Sequence, residues 1–314
     1  MNGEWTVTLR GEAAPAAVGV KAAQLAALGA RGLRVPAGFA VTAAAYREFV
    51  REARLGPVIA QELRRFRHGR DLGVVAAAIR TAFREASFPD DLAAEILAAY
   101  DALGGEVVVR CSPVPARSGR DAVFLHLDSG AAVLMACRRC FASLFAADAV
   151  GDRELNGPDH LTAVMPVTVQ QLIRSDLGAS GTARGESTFV RIRAGWGLGA
   201  PDGGDLYSFH PGAQPLIVKH RGAQQTKTVY VDPRGTEQVP TTPQERSAVV
   251  LRDEEIAELG AWSVAADKYF RRPVELEWAK DGADGALYLV EVRPWTTPAV
   301  EIGRWVRSAP VRVP

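Results

Sequence analysis

The chain has 314 residues, 47% hydrophobic and 23% charged, with 37 Lys and Arg against 36 Asp and Glu for a formal net charge of +1. That length suffices for about two domains of ~150 residues each, and the balanced charge excludes capture of nucleic acid or an anionic membrane by bulk electrostatics. An anionic ligand must therefore be met by a few placed cations. Only five of the basic residues are lysines (Lys21, Lys219, Lys227, Lys268 and Lys280), the rest being arginine, so each lysine invites a question.

Three cysteines, Cys111, Cys137 and Cys140, are too few and too odd a set for a disulfide framework and fit a reducing, cytoplasmic setting. Cys137-x-x-Cys140 lacks a second Cys or His pair at zinc spacing and reads as a pair of buried helix residues. The first twenty residues show neither the basic segment nor the apolar core of a secretory signal. Lys21, Arg31 and Arg34 interrupt the Ala/Leu-rich start, and Arg138 and Arg139 cut the run near 130–147, so no membrane span is expected.

In chain order, alternation in WTVTLRG predicts a first strand, and Val20 to Leu28 carries apolar residues at helical spacing up to Gly29. The chain turns at Pro36 and Gly38, runs as a strand to Val41 and enters a helix for which Thr42 is a suitable N-cap. Helical stretches are predicted over about 55–68 and 71–103, with Pro89 and Asp90 marking a start within the second. Gly104 and Gly105 release the chain into EVVVRCS, a continuous apolar strand ending in Arg110, Cys111 and Ser112. A helix near 130–147 and the strand VMPVTVQQLI follow. From about residue 186 the texture is β-rich (TFVRIRAGWGLG, DLYSFH, PLIVKH, TKTVYVD). A helix at 253–270 opens with acids that suit its dipole, and VELEWA, KDGADG and ALYLVEVRP form a closing hairpin.

That hairpin is the most informative stretch. Residues two apart in a strand share a face, so Glu275 and Glu277 point together, as do Leu289, Glu291 and Arg293 on the partner. The opposite face, Leu276, Trp278, Tyr288, Val290 and Val292, reads as core. Like charges on paired strands repel unless a cation lies between them, and carboxylates are the hard ligands Mg²⁺ prefers. The acidic face reads either as solvated or, more sharply, as a metal–phosphate site. Lys21, just after Val18-Gly19-Val20 where a loop enters a helix, is placed for an anion, although the Walker spacing is missing. Arg110 ends a buried strand, where a charge is either a ligand contact or half of an internal ion pair. Gly195-Trp196-Gly197-Leu198-Gly199 permits close backbone approach by a ligand or is simply a bend.

These pieces, in this order, resemble the N-terminal nucleotide-binding region of phosphoenolpyruvate synthase, pyruvate phosphate dikinase and rifampin phosphotransferase. VGVKAAQLAALGARGLRVPAGFAVTAAAYREF is similar to that family's Val-Gly-Gly-Lys, helix, Val-Pro-x-Gly-Phe-x-Val-Thr signature. VVVRCS, CRRCFASLF and VTVQQLI resemble its Val-x-Val-Arg-Ser-Ser, Cys-Trp-Ala-Ser-Leu-Phe and Val-Gln-x-Met-Val segments. PVELEWA and LYLVEVRP resemble Pro-Gln-Asp-Ile-Glu-Trp-Ala and Gln-x-Arg-Pro.

The resemblance implies an α+β ATP-grasp fold with ATP held between two subdomains: a helix-rich one over 1–185 with Lys21 and Arg110, a β-rich one over 186–300 with the acidic hairpin, and a tail at 301–314. It implies Lys21, Arg110 and Arg293 as catalytic phosphate contacts, Gly119 and Gln170 beside the nucleotide, and Glu277 and Glu291 as ligands of Mg²⁺. The family's region passes phosphate from ATP to a histidine on a swivelling domain. No such domain follows residue 314, so a separate histidine-bearing polypeptide is the expected partner. A free-standing kinase or ligase acting on a small molecule, and a binding or scaffold protein without turnover, are the alternatives.

The departures bear on catalysis. The loop between Arg110 and Gly119, CSPVPARS, is shorter than the family's and lacks its acidic pair. The family's phosphate-side Thr falls on Val123, and the Glu of its Gly-Leu-Gly-Glu is Ala200. The family's Gln two before the last Arg is Glu291, a stronger metal ligand. Five histidines (His68, His126, His160, His210, His220) show no triad or metal spacing; His126, in FLHL after the shortened loop, is the one placed to face a phosphate site.

Overall fold

Short strands with period-two side-chain placement build a five-stranded sheet and decide what each of its faces meets. The computed structural model describes residues 5–115, 122–156, 159–199, 202–212, 214–231 and 235–295. Its first half runs β1 (Thr6–Thr8), α1 (Pro15–Val18), α2 (Val20–Gly29), β2 (Gly38–Val41), α3 (Ala43–Glu52), α4 (Leu55–Arg67), α5 (Leu72–Glu85) and α6 (Asp90–Leu103). Then come β3 (Val107–Cys111), β4 (Val123–Leu127), α7 (Gly130–Ser143), α8 (Ala147–Asn156) and β5 (Val167–Gln171). The five strands lie in the order β1-β2-β5-β3-β4, every neighbouring pair antiparallel.

One face of this sheet, with Phe39, Val41, Val107, Val109, Cys111, Val167 and Val169, is buried against α3 to α8. Tyr46, Phe49, Phe83, Phe141 and Phe145 interlock there, Tyr46 meeting Phe141 edge to face at 5.2 Å, as ring quadrupoles favour. The other face presents Ala40, Thr168, Gln170, Val108 and Arg110, with Ser112 just beyond β3. Helix starts are capped locally: Thr42 Oγ1 accepts from the Ala45 N–H at 3.2 Å and Asp71 Oδ1 from the Val74 N–H at 3.0 Å. The stretch 71–103 is two helices, because Pro89 bars its predecessor from helical backbone. The run Gly130–Leu155 is long and apolar enough by composition to cross a membrane, contrary to the sequence reading. It is broken between α7 and α8, and 56% of its most apolar window is buried inside the protein.

The second half runs β6 (Ala179–Gly185), β7 (Val190–Trp196), β8 (Asp205–His210), β9 (Leu216–His220), β10 (Thr226–Val231) and β11 (Gly235–Pro240). It ends with α9 (Pro243–Ser247), α10 (Asp253–Phe270), β12 (Val274–Lys280) and β13 (Leu287–Pro294). A six-stranded antiparallel sheet, β13-β12-β6-β7-β8-β9, buries Trp278, Tyr207, Ile192 and Leu276 under α10, while among the described residues β10 and β11 pair only with each other as a ribbon. The architecture is α+β with two main cores and a small third cluster of Leu9, Val18, Ala22, Ala23 and Ala40.

Helix α2 is the seam between the second core and the small third cluster on the polar face of the first sheet. Its Ala22 and Ala23 pack with Ala40 of the first sheet, whereas Leu25 and Leu28 enter the core of the second. Strand β6 also belongs to the second sheet, so the cores divide before residue 185 rather than at it. Its sequence, ASGTARG, gives no alternation because small residues are needed. A β-carbon on Gly181 would overlap the Arg193 carbonyl and come within 2.8 Å of the Trp278 ring.

The closing hairpin forms, with a correction. The register pairs Glu277 with Glu291 and Leu276 with Val292, then slips so that Trp278 faces Leu289. Val290 is the extra residue of this bulge, which reverses the alternation along β13. Leu289 therefore lies in the core instead of beside Glu291, and Tyr288 and Val290 turn away from the core that strict alternation assigns them.

Candidate functional site

Lys21 sits in the first turn of α2, entered through Gly19 at φ +83°. The glycine is required twice over, since a β-carbon there would also overlap Ser112 Oγ. The seam thus presents Lys21 to the end of β13, where Nζ lies 3.1 Å from Glu291 Oε1. Arg110 reaches the same place from the polar face of the first sheet. Its Nη1 donates to the Val290 carbonyl at 2.9 Å and lies 3.7 Å from Glu291 Oε2. The bulge is what turns that carbonyl's residue toward the cleft.

Register places Glu277 directly opposite Glu291, and Arg293 bridges them, with Nη1 2.9 Å from Glu277 Oε1 and Nε 3.0 Å from Glu291 Oε1. Glu275 stands opposite Arg293 on the same pair of strands. Burial, and next the neighbouring Glu291 charge, raises the Glu277 carboxyl above the ordinary carboxylate range. Burial pushes Glu291 the same way, but the Arg293 hydrogen bond and the charges of Lys21, Arg293 and Arg110 outweigh it and hold that carboxyl low. The two carboxylates thus differ in kind: Glu291 is 6% exposed and heavily compensated, Glu277 less so.

Beside this cluster a cavity of about 440 Å³ opens between the two sheets. Arg110, Gln170 and Glu277 line it, with Val108, Leu172, Trp278 and Val290 supplying apolar wall. Gln170 is 2% exposed, and its Nε2 makes a long 3.4 Å contact to the Pro36 carbonyl. Among the described residues, Arg110 Nε, Ser112 Oγ and Thr168 Oγ1 are buried without a hydrogen-bond partner. Such orphaned donors are costly unless a ligand completes them.

The sequence reading did not assign the ribbon to the site. Thr228 and Tyr230 of β10 and Thr236 of β11 also line the cavity, and alternation in TKTVYV already puts the first two on one face. Leu198 N–H donates to the Thr228 carbonyl at 2.9 Å, and a side chain at Gly197 would collide with that carbonyl. The Gly-Trp-Gly-Leu-Gly segment is thereby where the ribbon docks, with Leu198 and Gly199 at the cavity wall. Burial pushes the Tyr230 phenol up to about 12.

His126 and Val123 fall elsewhere. Both line a neighbouring cavity of about 310 Å³, where Val123 is 49% exposed, and His126 pairs through Nε2 with Glu106 Oε1 at 2.9 Å. Gly119 and Ala200 lie outside the described residues.

Two facing carboxylates fit a hard cation of the Mg²⁺ type, which takes one or two carboxylates and completes its octahedron with water and phosphate oxygens. Among the described residues no group of three or more His, Cys, Asp or Glu side chains could hold a metal by itself, so phosphate oxygens would have to share the task. Lys21, Arg110 and Arg293 supply the matching positive charge.

The chain matches the family described as pyruvate phosphate dikinase, AMP/ATP-binding domain, over residues 15–304. It is 33% identical to the phosphoenolpyruvate synthase of Synechocystis sp., across 88% of this chain and 39% of that protein. Against the phosphoenolpyruvate synthases of Neisseria meningitidis and Escherichia coli the identity is 32% in each case, across 87% and 86% of this chain. The chain spans about 39% of the first of these relatives and a similar share of the other two.

Proposed function

This chain belongs to the pyruvate phosphate dikinase AMP/ATP-binding domain family, and from that premise we propose that it binds ATP with Mg²⁺ in an ATP-grasp cleft and passes phosphate to a histidine outside residues 1–314. The observation that carries this reading is the facing pair Glu277 and Glu291, with Lys21, Arg110 and Arg293 around it, beside the 440 Å³ cavity. A bound Mg²⁺ would neutralise charge on the phosphate oxygens. Lys21, Arg110 and Arg293 would take the remaining phosphate charge, and Gln170 with the apolar wall would receive the base and sugar. Phosphoryl transfer asks a protein chiefly for positioning and charge neutralisation, and these side chains are already fixed by ion pairs.

The test supplies ATP carrying label in the β or the γ phosphate together with a candidate histidine-bearing polypeptide, and measures acid-labile label on that polypeptide. Lys21→Ala should reduce it by about 10²-fold or more; unchanged transfer in that variant would overturn the proposal. The loop between Arg110 and Gly119, shorter than the resembling family's and without its acidic pair, favours a second reading, nucleotide binding without turnover. Mg²⁺-dependent ATP binding with no phosphate released or transferred would establish it. ATP consumption abolished by Glu277→Ala would exclude it.

A further inference from the structure

Resting on the nucleotide reading above, we propose that Glu291 is a built-in occupant of the phosphate subsite, holding its cations until a divalent cation draws the carboxylate away. Three cations converge on this one side chain: Lys21 Nζ at 3.1 Å, Arg293 Nε at 3.0 Å and Arg110 Nη1 at 3.7 Å. They come from three separate elements, α2, β13 and β3, and Glu291 is 6% exposed. These are the cations that the phosphates would need.

An incoming anion must therefore compete with a carboxylate already in place. Without metal, displacing Glu291 leaves it and Glu277 facing each other and the triphosphate, with like charges at close quarters in a partly desolvated site. A divalent cation changes the exchange. Glu291 and Glu277 would hold it, and Glu291 so engaged would leave Lys21, Arg110 and Arg293 to the phosphates. Counting the five side chains alone, three positive and two negative, the site carries one net positive charge without metal and three with it, the latter better suited to a polyanionic triphosphate.

Metal and nucleotide are therefore positively coupled through one side chain, and the coupling is reciprocal. An amide at position 291, as in the resembling sequences, could not neutralise the three cations and would leave them open to metal-free nucleotide. The glutamate makes the site selective for the metal complex over the bare anion.

The experiment is calorimetric titration of the full chain with ATP, in EDTA and in excess Mg²⁺, for wild type, Glu291→Gln and Glu277→Gln, with thermal unfolding to establish that each variant is folded. In EDTA, Glu291→Gln should bind ATP at least about tenfold more tightly than wild type. Glu277→Gln, which leaves Glu291 on its cations, should gain markedly less. Should Glu291→Gln not fold, Glu291→Asp serves, because its shorter side chain draws back from Lys21 and should also gain in EDTA. Mg²⁺-dependent binding by wild type with no gain in the position-291 variant overturns this proposal alone. No binding of ATP in Mg²⁺ by wild type removes the nucleotide reading and this proposal with it.

Discussion

Tyr230 and His126 stack face to face, their ring centroids 5.7 Å apart and their planes within 5°, and so join the β10–β11 ribbon to the first sheet across the cleft. The histidine holds an unusual left-handed backbone, φ +58°, and its Nε2 is anchored by Glu106. Among the described residues the ribbon pairs with no other strand, so this stack and the Leu198–Thr228 bond are major constraints on its position. Tyr230→Ala should raise amide hydrogen exchange across Thr226–Val231 while leaving β12 and β13 protected. An aromatic pair is worth about 0.5–1.5 kcal/mol, so ATP affinity should fall about two- to twelvefold. Tyr230→Phe should keep both. Equal exchange in wild type and Tyr230→Ala would remove the latch from this account.

Gly19→Ala should destabilise the fold by about 2 kcal/mol or more, from positive φ and from overlap with Ser112 together. The cost comes with displacement of Lys21, two residues on, so nucleotide binding should weaken beyond what stability explains. Urea unfolding and titration of the folded fraction with ATP separate the two effects. Val20→Ala, on the neighbouring exposed position, is the control and should change neither by much.

Cys111, Cys137 and Cys140 should be silent toward a thiol reagent in the native protein. All three are buried, at 1%, 0% and 0% exposure, and burial raises the Cys137 thiol to about 12 and the Cys140 thiol well above its ordinary value. Labelling with dithionitrobenzoate should proceed at the rate of unfolding and count three thiols in denaturant. Fast labelling of the native chain would mean that the core around β3 and α7 opens locally.

How far the sequence could be read follows from what each signal encodes. Period-two alternation makes Glu275 and Glu277 share a face whatever the fold, and turn chemistry in KDGADG brings Glu291 alongside, so the acidic pair was legible. The bulge at Val290 was not: one added residue reverses which side chains enter the core, and nothing local marks it. Strand β6 was invisible because its small residues answer to Trp278 and to the backbone of β7, contacts made only in the folded sheet. TKTVYV was legible as a strand, but where a self-paired ribbon docks depends on Gly197 and His126, remote in sequence. Helix α2 was legible as a helix, and its double allegiance was not, since apolar residues on two sides look the same whether they meet one core or two.

The His160 network makes stability depend on pH in a stated direction. His160 is 5% exposed; its Nδ1 accepts from Arg153 Nε at 3.0 Å and its Nε2 lies 2.8 Å from Glu154 Oε1. Accepting at Nδ1 fixes the neutral tautomer with the proton on Nε2. Burial first, then the Arg153 and Arg67 charges, lowers its affinity for a second proton, against the pull of Glu154. The folded value therefore lies below the unfolded value of about 6.5. The unfolded chain binds more protons in that window, so this contribution is complete above about pH 6.5 and is lost as pH falls through the folded value. Glu154, held low chiefly by its Arg67 hydrogen bond, adds a loss of the same sign further down. His160→Gln can donate to Glu154 and accept from Arg153 without titrating. It should flatten the dependence of unfolding free energy on pH below about 6.5, by up to ~1.4 kcal/mol per pH unit, the value of one proton. Denaturant unfolding at a series of pH values measures it, and parallel curves for the two proteins would show that His160 does not titrate with folding.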